Sequence, residues 1–306
     1  MVARICEVRS VEIEVSSLAE ATRFYRDIWK LSAAHGDSRS AYLRGTCSAH
    51  HILGLHAATS VPTVRRVVLD ARNREDVDEF YERLSNRISN VEKPSTLPRP
   101  LGGYGFGFKD IEGRNFVVVC DGEQNDRPLP PTPDLPTKIS HINLNSLKYE
   151  ETTAFFSDVL GLRVIDESGR ARFFHAATTD HFSIAVVKSD NATLNHIAFE
   201  LVDLDSVMRG AGRMRDNGYP IEWGVGRHGP GNNVFAYFAG PDEIPIEYTS
   251  EVLQVDDSYV PRGPEHWKFA PGRTDQWGVT APPSARLNRI QQLFAFTERG
   301  FQTRAT

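Results

Sequence analysis

The feature that most restricts this chain is that its second half repeats its first. HIAFELVDLDSV, beginning at His196, aligns with RVVLDARNREDV, beginning at Arg66, and their apolar positions stay in step across a shift of 130 residues. AYFAGPDEIPIEY, ending at Tyr248, lies over FGFKDIEGRNFVV, ending at Val118, and RFFHAATTDHFSI lies over YLRGTCSAHHILG, both at that same shift of 130. FFSDVLGL from Phe155 and FYRDIWKL from Phe24 are 131 apart, so a single-residue gap separates the registers. Self-similarity at so long a period predicts two copies of one domain. The 306 residues fit two domains of about 120–140 residues and a tail.

Between Cys120 and Ile139 runs DGEQNDRPLPPTPDLPTK, whose five prolines deny both helix and central strand. The expected division is therefore an N-terminal domain at 1–122, a Pro-rich linker at 123–137, a C-terminal domain at 138–252 and an irregular tail at 253–306. Each domain reads as two smaller units of strand, helix and further strands. KISHINLN alternates as a strand should, TTAFFSDVL gathers its apolar residues on one helical face ahead of Gly161, and short strands follow at RVIDE, ARFFHA and HFSIAVV. The next unit repeats the order, with a strand at NHIAFELV, a helix through LDSVMRGAGRMRDNG and strands at NNVFAYF and IPIEYTS. In the N-terminal domain VEIEV leads into a helix through Phe24, Tyr25, Ile28 and Trp29, and RRVVLD into one through Val77, Phe80, Tyr81 and Leu84. The tail, rich in Pro, Gly and aromatics, is expected to lie over one domain.

Charge excludes some partners. A net charge of −5 with both signs interspersed gives no footprint for nucleic acid or an anionic membrane. No stretch approaches the ~20 apolar residues of a membrane helix, and the start, MVARICEVRSVEIEV, lacks a signal peptide's apolar core. Cys6, Cys47 and Cys120 are widely spaced, which argues against a disulfide framework and for a reducing, cytoplasmic setting.

Duplication also separates scaffold from chemistry. His141, His196 and Glu247 fall where the first half has Val11, Arg66 and Val117. A lone strand histidine is more often packed than ligating, but a structural need shared by both copies does not explain three metal-capable residues confined to one of them. Two imidazoles and a carboxylate, leaving other positions open, suit a divalent iron site, and a zinc site also tolerates the trio.

Gly226 to Tyr248, GRHGPGNNVFAYFAGPDEIPIEY, resembles the signature segment of the type I extradiol ring-cleavage dioxygenases, members of the vicinal oxygen chelate (glyoxalase-like) superfamily. The matching skeleton is Gly226, His228, Tyr237, Pro241 and Glu247; Ala236, Gly240 and Glu243 depart from the usual choices in the turn and strand flanks. The resemblance implies an α+β fold of two tandem domains, each made of two βαβββ units forming a funnel-like half-open barrel. It implies Fe(II), with Mn(II) as the alternative, held by His141, His196 and Glu247, and cleavage of a catechol-like aromatic diol with O2. It further implies catalytic roles for His181, His228 and Tyr237, and assembly into a homo-oligomer. A shared turn role competes for His181, because His51 aligns with it in the first half; packing competes for His228 and Tyr237. Arg262, His266 and Trp267 are candidates to close over the pocket mouth. Two other readings stay open: an isomerase or lyase of the same superfamily, and a non-catalytic small-molecule-binding protein.

Overall fold

The computed structural model describes residues 4–304. Residues 1–3 and 305–306, the outer ends of the expected first domain and tail, lie outside the described residues. The first half runs β1 (Ile5–Val15), α1 (Leu18–Arg23), β2 (Ser32–Gly36), β3 (Ser40–Arg44), β4 (Leu53–Ala57), then β5 (Thr63–Ala71), α2 (Arg74–Ser85), β6 (Ser95–Thr96), β7 (Tyr104–Lys109) and β8 (Asn115–Cys120). The second runs β9 (Ile139–Ser146), α3 (Tyr149–Asp158), β10 (Arg163–Ser168), β11 (Ala171–His175), β12 (Ile184–Lys188), then β13 (Leu194–Glu200), α4 (Leu204–Asp216), β14 (Trp223–Arg227), β15 (Val234–Ala239) and β16 (Pro245–Ser250). Each half is one eight-stranded mixed sheet, ordered β2-β3-β4-β1-β5-β8-β7-β6 and β10-β11-β12-β9-β13-β16-β15-β14. These are two tandem βαβββ pairs, and in each sheet the leading strands of the two units meet antiparallel at the centre.

Alternation along the strands sorts side chains between two faces. Ile142, Leu144, Ile197, Phe199, Ile246 and Tyr248 point outward toward the helices, in one apolar core continuous across both halves. His141, Tyr237 and Glu247 occupy the other face, lining the funnel. The helix expected through Phe24 to Trp29 is instead six residues of α-helix followed by a π-turn over Phe24–Ile28, closed by Trp29 N donating to the Phe24 carbonyl. The extra residue in that turn carries Trp29 into the other half, where its ring stacks on Tyr248 at 3.6 Å and 7°. Tyr248 in turn donates its hydroxyl to the Trp29 carbonyl at 2.9 Å. Tyr248→Phe keeps the stack and leaves that carbonyl short of a donor; an expected loss of about 1–2 kcal/mol is readable from the urea unfolding midpoint.

The halves also cap each other's helices. α3 has no side-chain cap of its own. Glu112, in the β7–β8 turn of the first half, accepts from the backbone N–H groups of Leu147 and Lys148 at 2.8 Å each. Its counterpart Asp242, in the β15–β16 turn, accepts from Ser16 N at 2.9 Å just before α1. Asp242 and Glu243 sit at φ 56° and 62°, so the departure from the signature at Glu243 places a side chain in the left-handed region. Glu243 uses that position to pair with Arg286 and Arg289, each at 3.1 Å.

Both of those arginines belong to the tail, which differs from expectation: it lies over both halves and contains a short helix, α5 (Ala285–Ile290). Leu287 and Ile290 pack on Phe235, Tyr237 and Ala239 at the second funnel. The chain then crosses to the first half, where Thr297 N donates to the Val64 carbonyl at 2.9 Å, and its last stretch enters the first funnel. Arg66 donates to the Gln302 carbonyl at 3.3 Å, and Glu92 accepts from Thr303 N at 3.0 Å and from its hydroxyl at 2.7 Å. Gly107, the counterpart of Tyr237, is needed there: a Cβ on it would lie 1.7 Å from the Phe301 carbonyl oxygen.

Register corrects the internal alignment at two places. Val11 pairs with Leu53 as Ile142 pairs with Ile184, so the leading unit of each half is offset by 131 and the trailing unit by 130. His141 therefore answers to Ser10 rather than Val11, and His181 to His50 rather than His51. The missing residue falls between Ala58 and Val64, whose counterparts by backbone hydrogen bonding are Ser189 and Leu194.

Candidate metal centre

Four neighbouring strands place the site. His141 on β9 stands opposite Ala198 on β13, Ala198 stands beside Glu247 on β16, and Glu247 stands opposite Tyr237 on β15. His196 is aimed into this row by a bulge between Leu194 and His196, a device that redirects one side chain without altering the rest of a strand. His141, His196 and Glu247 are each at most 2% exposed. His141 Nε2 lies 3.3 Å and His196 Nε2 3.0 Å from Glu247 Oε2, and the two Nε2 atoms are 3.4 Å apart. These are the separations that neighbouring ligands take when each is about 2.1 Å from a shared ion. Glu247 Oε2 is buried with no hydrogen-bond partner among the described residues, an expensive arrangement unless a cation fills the gap. The donor set and its geometry thus fit a divalent metal, and no other His/Cys/Asp/Glu cluster among the described residues does so.

The far side of each ring is also fixed. His196 Nδ1 lies 2.8 Å from Asn195 Oδ1, an acceptor, so Nδ1 carries the proton and Nε2 is left as a lone pair. Asn195 is the bulge residue and is held by Gln291 at 2.9 Å and Asn145 at 3.0 Å. His141 Nδ1 faces Ser140 Oγ at 3.3 Å. Asn233 donates to Glu247 Oε1 at 3.4 Å and to Thr249 Oγ1 at 2.8 Å, bracing the carboxylate. Burial raises the Glu247 carboxyl, but the imidazoles of His141 and His196 outweigh it and hold the group well below the usual range, as an anion. Burial lowers His196, favouring the neutral form that ligates.

Two more of the expected residues join this group. His228 Nε2 lies 3.1 Å from the Tyr237 hydroxyl, which is 3.5 Å from His196 Nε2. Burial pushes His228 down to about 4, so it is a neutral imidazole whose Nε2 can donate or accept a hydrogen bond according to its tautomer. Burial, reinforced by Glu247, raises the Tyr237 phenol well above its ordinary value and keeps it a donor. Trp223 stacks on Tyr237 at 5.2 Å. His181 stands apart from these five: its Nε2 bonds Asp166 Oδ2 at 2.9 Å, while the ring of its neighbour Phe182 packs 4.4 Å from His141. Of the tail candidates, Trp267 lies against Gly229, where a Cβ would meet it at 2.9 Å, and Arg262 lies over Trp267 and Tyr259 at 5.6 and 5.5 Å.

Asn195, Asn233, Asp166 and Gln291 escaped the sequence reading. Asn233 stood in plain view inside the GNN run of the signature segment; Asp166 and Gln291 are brought in by the bulge of β10 and by the tail, neither of which leaves a periodic mark.

Residues 138–248 match the family described as the Glyoxalase/Bleomycin resistance protein/Dioxygenase superfamily. Metapyrocatechase 2 of Cupriavidus necator is 33% identical over 154 residues, covering 48% of this chain and 46% of that protein, so the match spans about half the relative's length. The manganese-dependent 2,3-dihydroxybiphenyl 1,2-dioxygenase of Geobacillus genomosp. 3 is 23% identical over 305 residues, covering 87% of this chain and 96% of the relative. Among solved structures, the Mn(II)-bound glyoxalase from Novosphingobium aromaticivorans superposes with a TM-score of 0.86 at 33% identity, over 93% of this chain and 94% of that one.

Proposed function

We propose that this chain, which belongs to the glyoxalase/bleomycin resistance protein/dioxygenase superfamily, is a metal-dependent extradiol dioxygenase that opens a catechol-like ring with O2. The observation that carries the reading is the convergence of the His141, His196 and Glu247 donors with Tyr237 and His228 directly beside them. We divide the chain at 1–122, 123–137, 138–252 and 253–306, the third segment being the catalytic domain. Among the described residues no helix is long and apolar enough to cross a membrane, and the three cysteines are free, which supports a reducing, cytoplasmic setting. Assembly into a homo-oligomer remains part of the proposal.

Nε2 of His141, Nε2 of His196 and the Glu247 carboxylate would hold Fe(II), with Mn(II) the alternative that two of the relatives favour by name. Bound there, the ion supplies Lewis acidity and an electron path between diol and O2. His228, neutral and buried, and the Tyr237 hydroxyl, 3.1 Å away, grip the incoming hydroxyl oxygens by hydrogen bonds, with Tyr237 as a donor. Trp223 and Phe235, on the same face, offer an apolar wall to the ring and keep bulk water out. The bond broken lies beside, rather than between, the hydroxyl-bearing carbons.

Anaerobic loading with Fe(II) or Mn(II), then oxygen uptake over monocyclic, bicyclic and carboxylated catechols, tests the reading; silence across the panel with metal bound would discard it. That silence would favour the glyoxalase-type isomerase or lyase reading, which the manganese-bound neighbour at 33% identity supports. Tyr237→Phe, which keeps the ring and removes the hydroxyl, is expected to lower kcat roughly 10–100-fold at unchanged metal content. Metal at about 100 times its Kd adds about 2.7 kcal/mol to the folded state. In a chain of this size that raises Tm by roughly 4 °C, an upshift that differential scanning calorimetry should record and a chelator should reverse.

A further inference from the structure

Asp166 lies on β10 at a bulge between Val164 and Asp166, so its carboxylate turns inward and is 1% exposed. Every acceptor direction in use has a named donor. Oδ2 faces His181 Nε2 at 2.9 Å and the Tyr259 hydroxyl at 3.0 Å; Oδ1 accepts from Arg262 N at 2.8 Å. His181 is fully buried, and its other nitrogen, Nδ1, has no partner among the described residues. The sister half lacks this pairing. At the offset of 131 that its register sets, His50 stands for His181 and His35 for Asp166, and His35 occupies the equivalent bulge of β2. The carboxylate–imidazole pair is therefore confined, like the metal-capable trio, to one copy of the duplication.

We propose that Asp166 is a positioning residue that fixes the tautomer of His181 and ties it to the docked tail; the assignment rests on the ring-cleavage reading of the funnel. A carboxylate can only accept, so it holds the proton of neutral His181 on Nε2 and leaves Nδ1 as the free base. In turnover Nδ1 takes one proton from the diol or its oxygenated product, Asp166 balances the imidazolium that results, and the proton is returned on ring opening, leaving His181 as it began. Because Tyr259 and Arg262 N bond the same carboxylate, residues 259–262 help to hold it against His181.

The test is Asp166→Asn. Its amide N–H faces Nε2 as a donor and moves the His181 proton to Nδ1. Nitrogen-15 NMR of histidine-labelled, Zn(II)-loaded protein is expected to show Nε2–H in the wild type and Nδ1–H in the variant. In the Fe(II) or Mn(II) protein, kcat of the variant is expected to fall roughly 10–100-fold with KM within about twofold. Asp166→Asn combined with His181→Phe should fall no further than His181→Phe alone. A wild-type His181 protonated at Nδ1 overturns the assignment even if the variant fails to fold, as does an Asp166→Asn enzyme with full kcat, or losses that multiply in the double variant. Absence of oxygen uptake by the wild type, with the tautomers as stated, instead removes the ring-cleavage reading and takes the catalytic purpose of the pair with it.

Discussion

His196→Ala is expected to abolish metal binding at stoichiometric Fe(II) or Mn(II) and to cost at least about 10^3-fold in oxygen uptake. The size follows from what the imidazole does. Of three donors around the gap, His196 Nε2 is the one 3.0 Å from Glu247 Oε2, and its far side is locked by Asn195. Two ligands leave the ion loosely held, and the Lewis acidity forfeited is worth several kcal/mol, at about 1.4 kcal/mol per factor of ten. Metal content by plasma mass spectrometry and uptake by an oxygen electrode check it together. Equal metal and equal uptake in the variant would discard the ligand set. The Tm rise on metal addition should vanish in this variant as well, since a protein that no longer binds gains nothing by mass action.

Why this centre was legible while its supports were not is a matter of range. His141, His196 and Glu247 each sit on a strand whose alternation is local, and the duplication supplied an internal control in which those positions carry other residues. The register error arose because the gap lies in the short connection between Ala58 and Val64, where no apolar pattern marks it; the contrast survives with Ser10 in place of Val11. The βαβββ order was readable from alternation and helical spacing. The π-turn at Phe24–Ile28 was not, because nothing in FYRDI distinguishes a hydrogen bond spanning five residues from one spanning four. The course of the tail was also hidden. Its contacts are made by backbone groups and by side chains such as Gln291, whose partner Asn195 is 96 positions away. Composition carries no trace of such partners.

The second large effect lies far from the metal. Arg114 is fully buried, with Nε 2.6 Å from Asp110 Oδ2 and Nη2 3.0 Å from Glu112 Oε2, while Nη1 donates to the Asn145 carbonyl at 2.8 Å. Glu112 also accepts from the Ser146 hydroxyl at 2.6 Å and the Thr152 hydroxyl at 2.7 Å, besides capping α3. Arg114→Ala would strand two buried carboxylates without a counter-charge. Removing one partner of such a group is strongly destabilising even where the intact group contributes little, so a loss of about 3–5 kcal/mol is expected from guanidinium unfolding followed by circular dichroism. A loss below about 1 kcal/mol would mean that the carboxylates find water or protonate. Because the network spans both halves, the variant should also lower the temperature at which the halves separate, seen as earlier proteolysis between Cys120 and Ile139.

The occupied first funnel sets a limit on engineering. Building a metal centre there by writing histidines and a glutamate at Ser10, Arg66 and Val117 would not yield an accessible second site, since the main chain at Phe301 and Gln302 already lies against Gly107 and Arg66. One funnel carries the metal-capable trio and the other is plugged by residues 301–303, so a redesign for two centres has to begin by rerouting that segment.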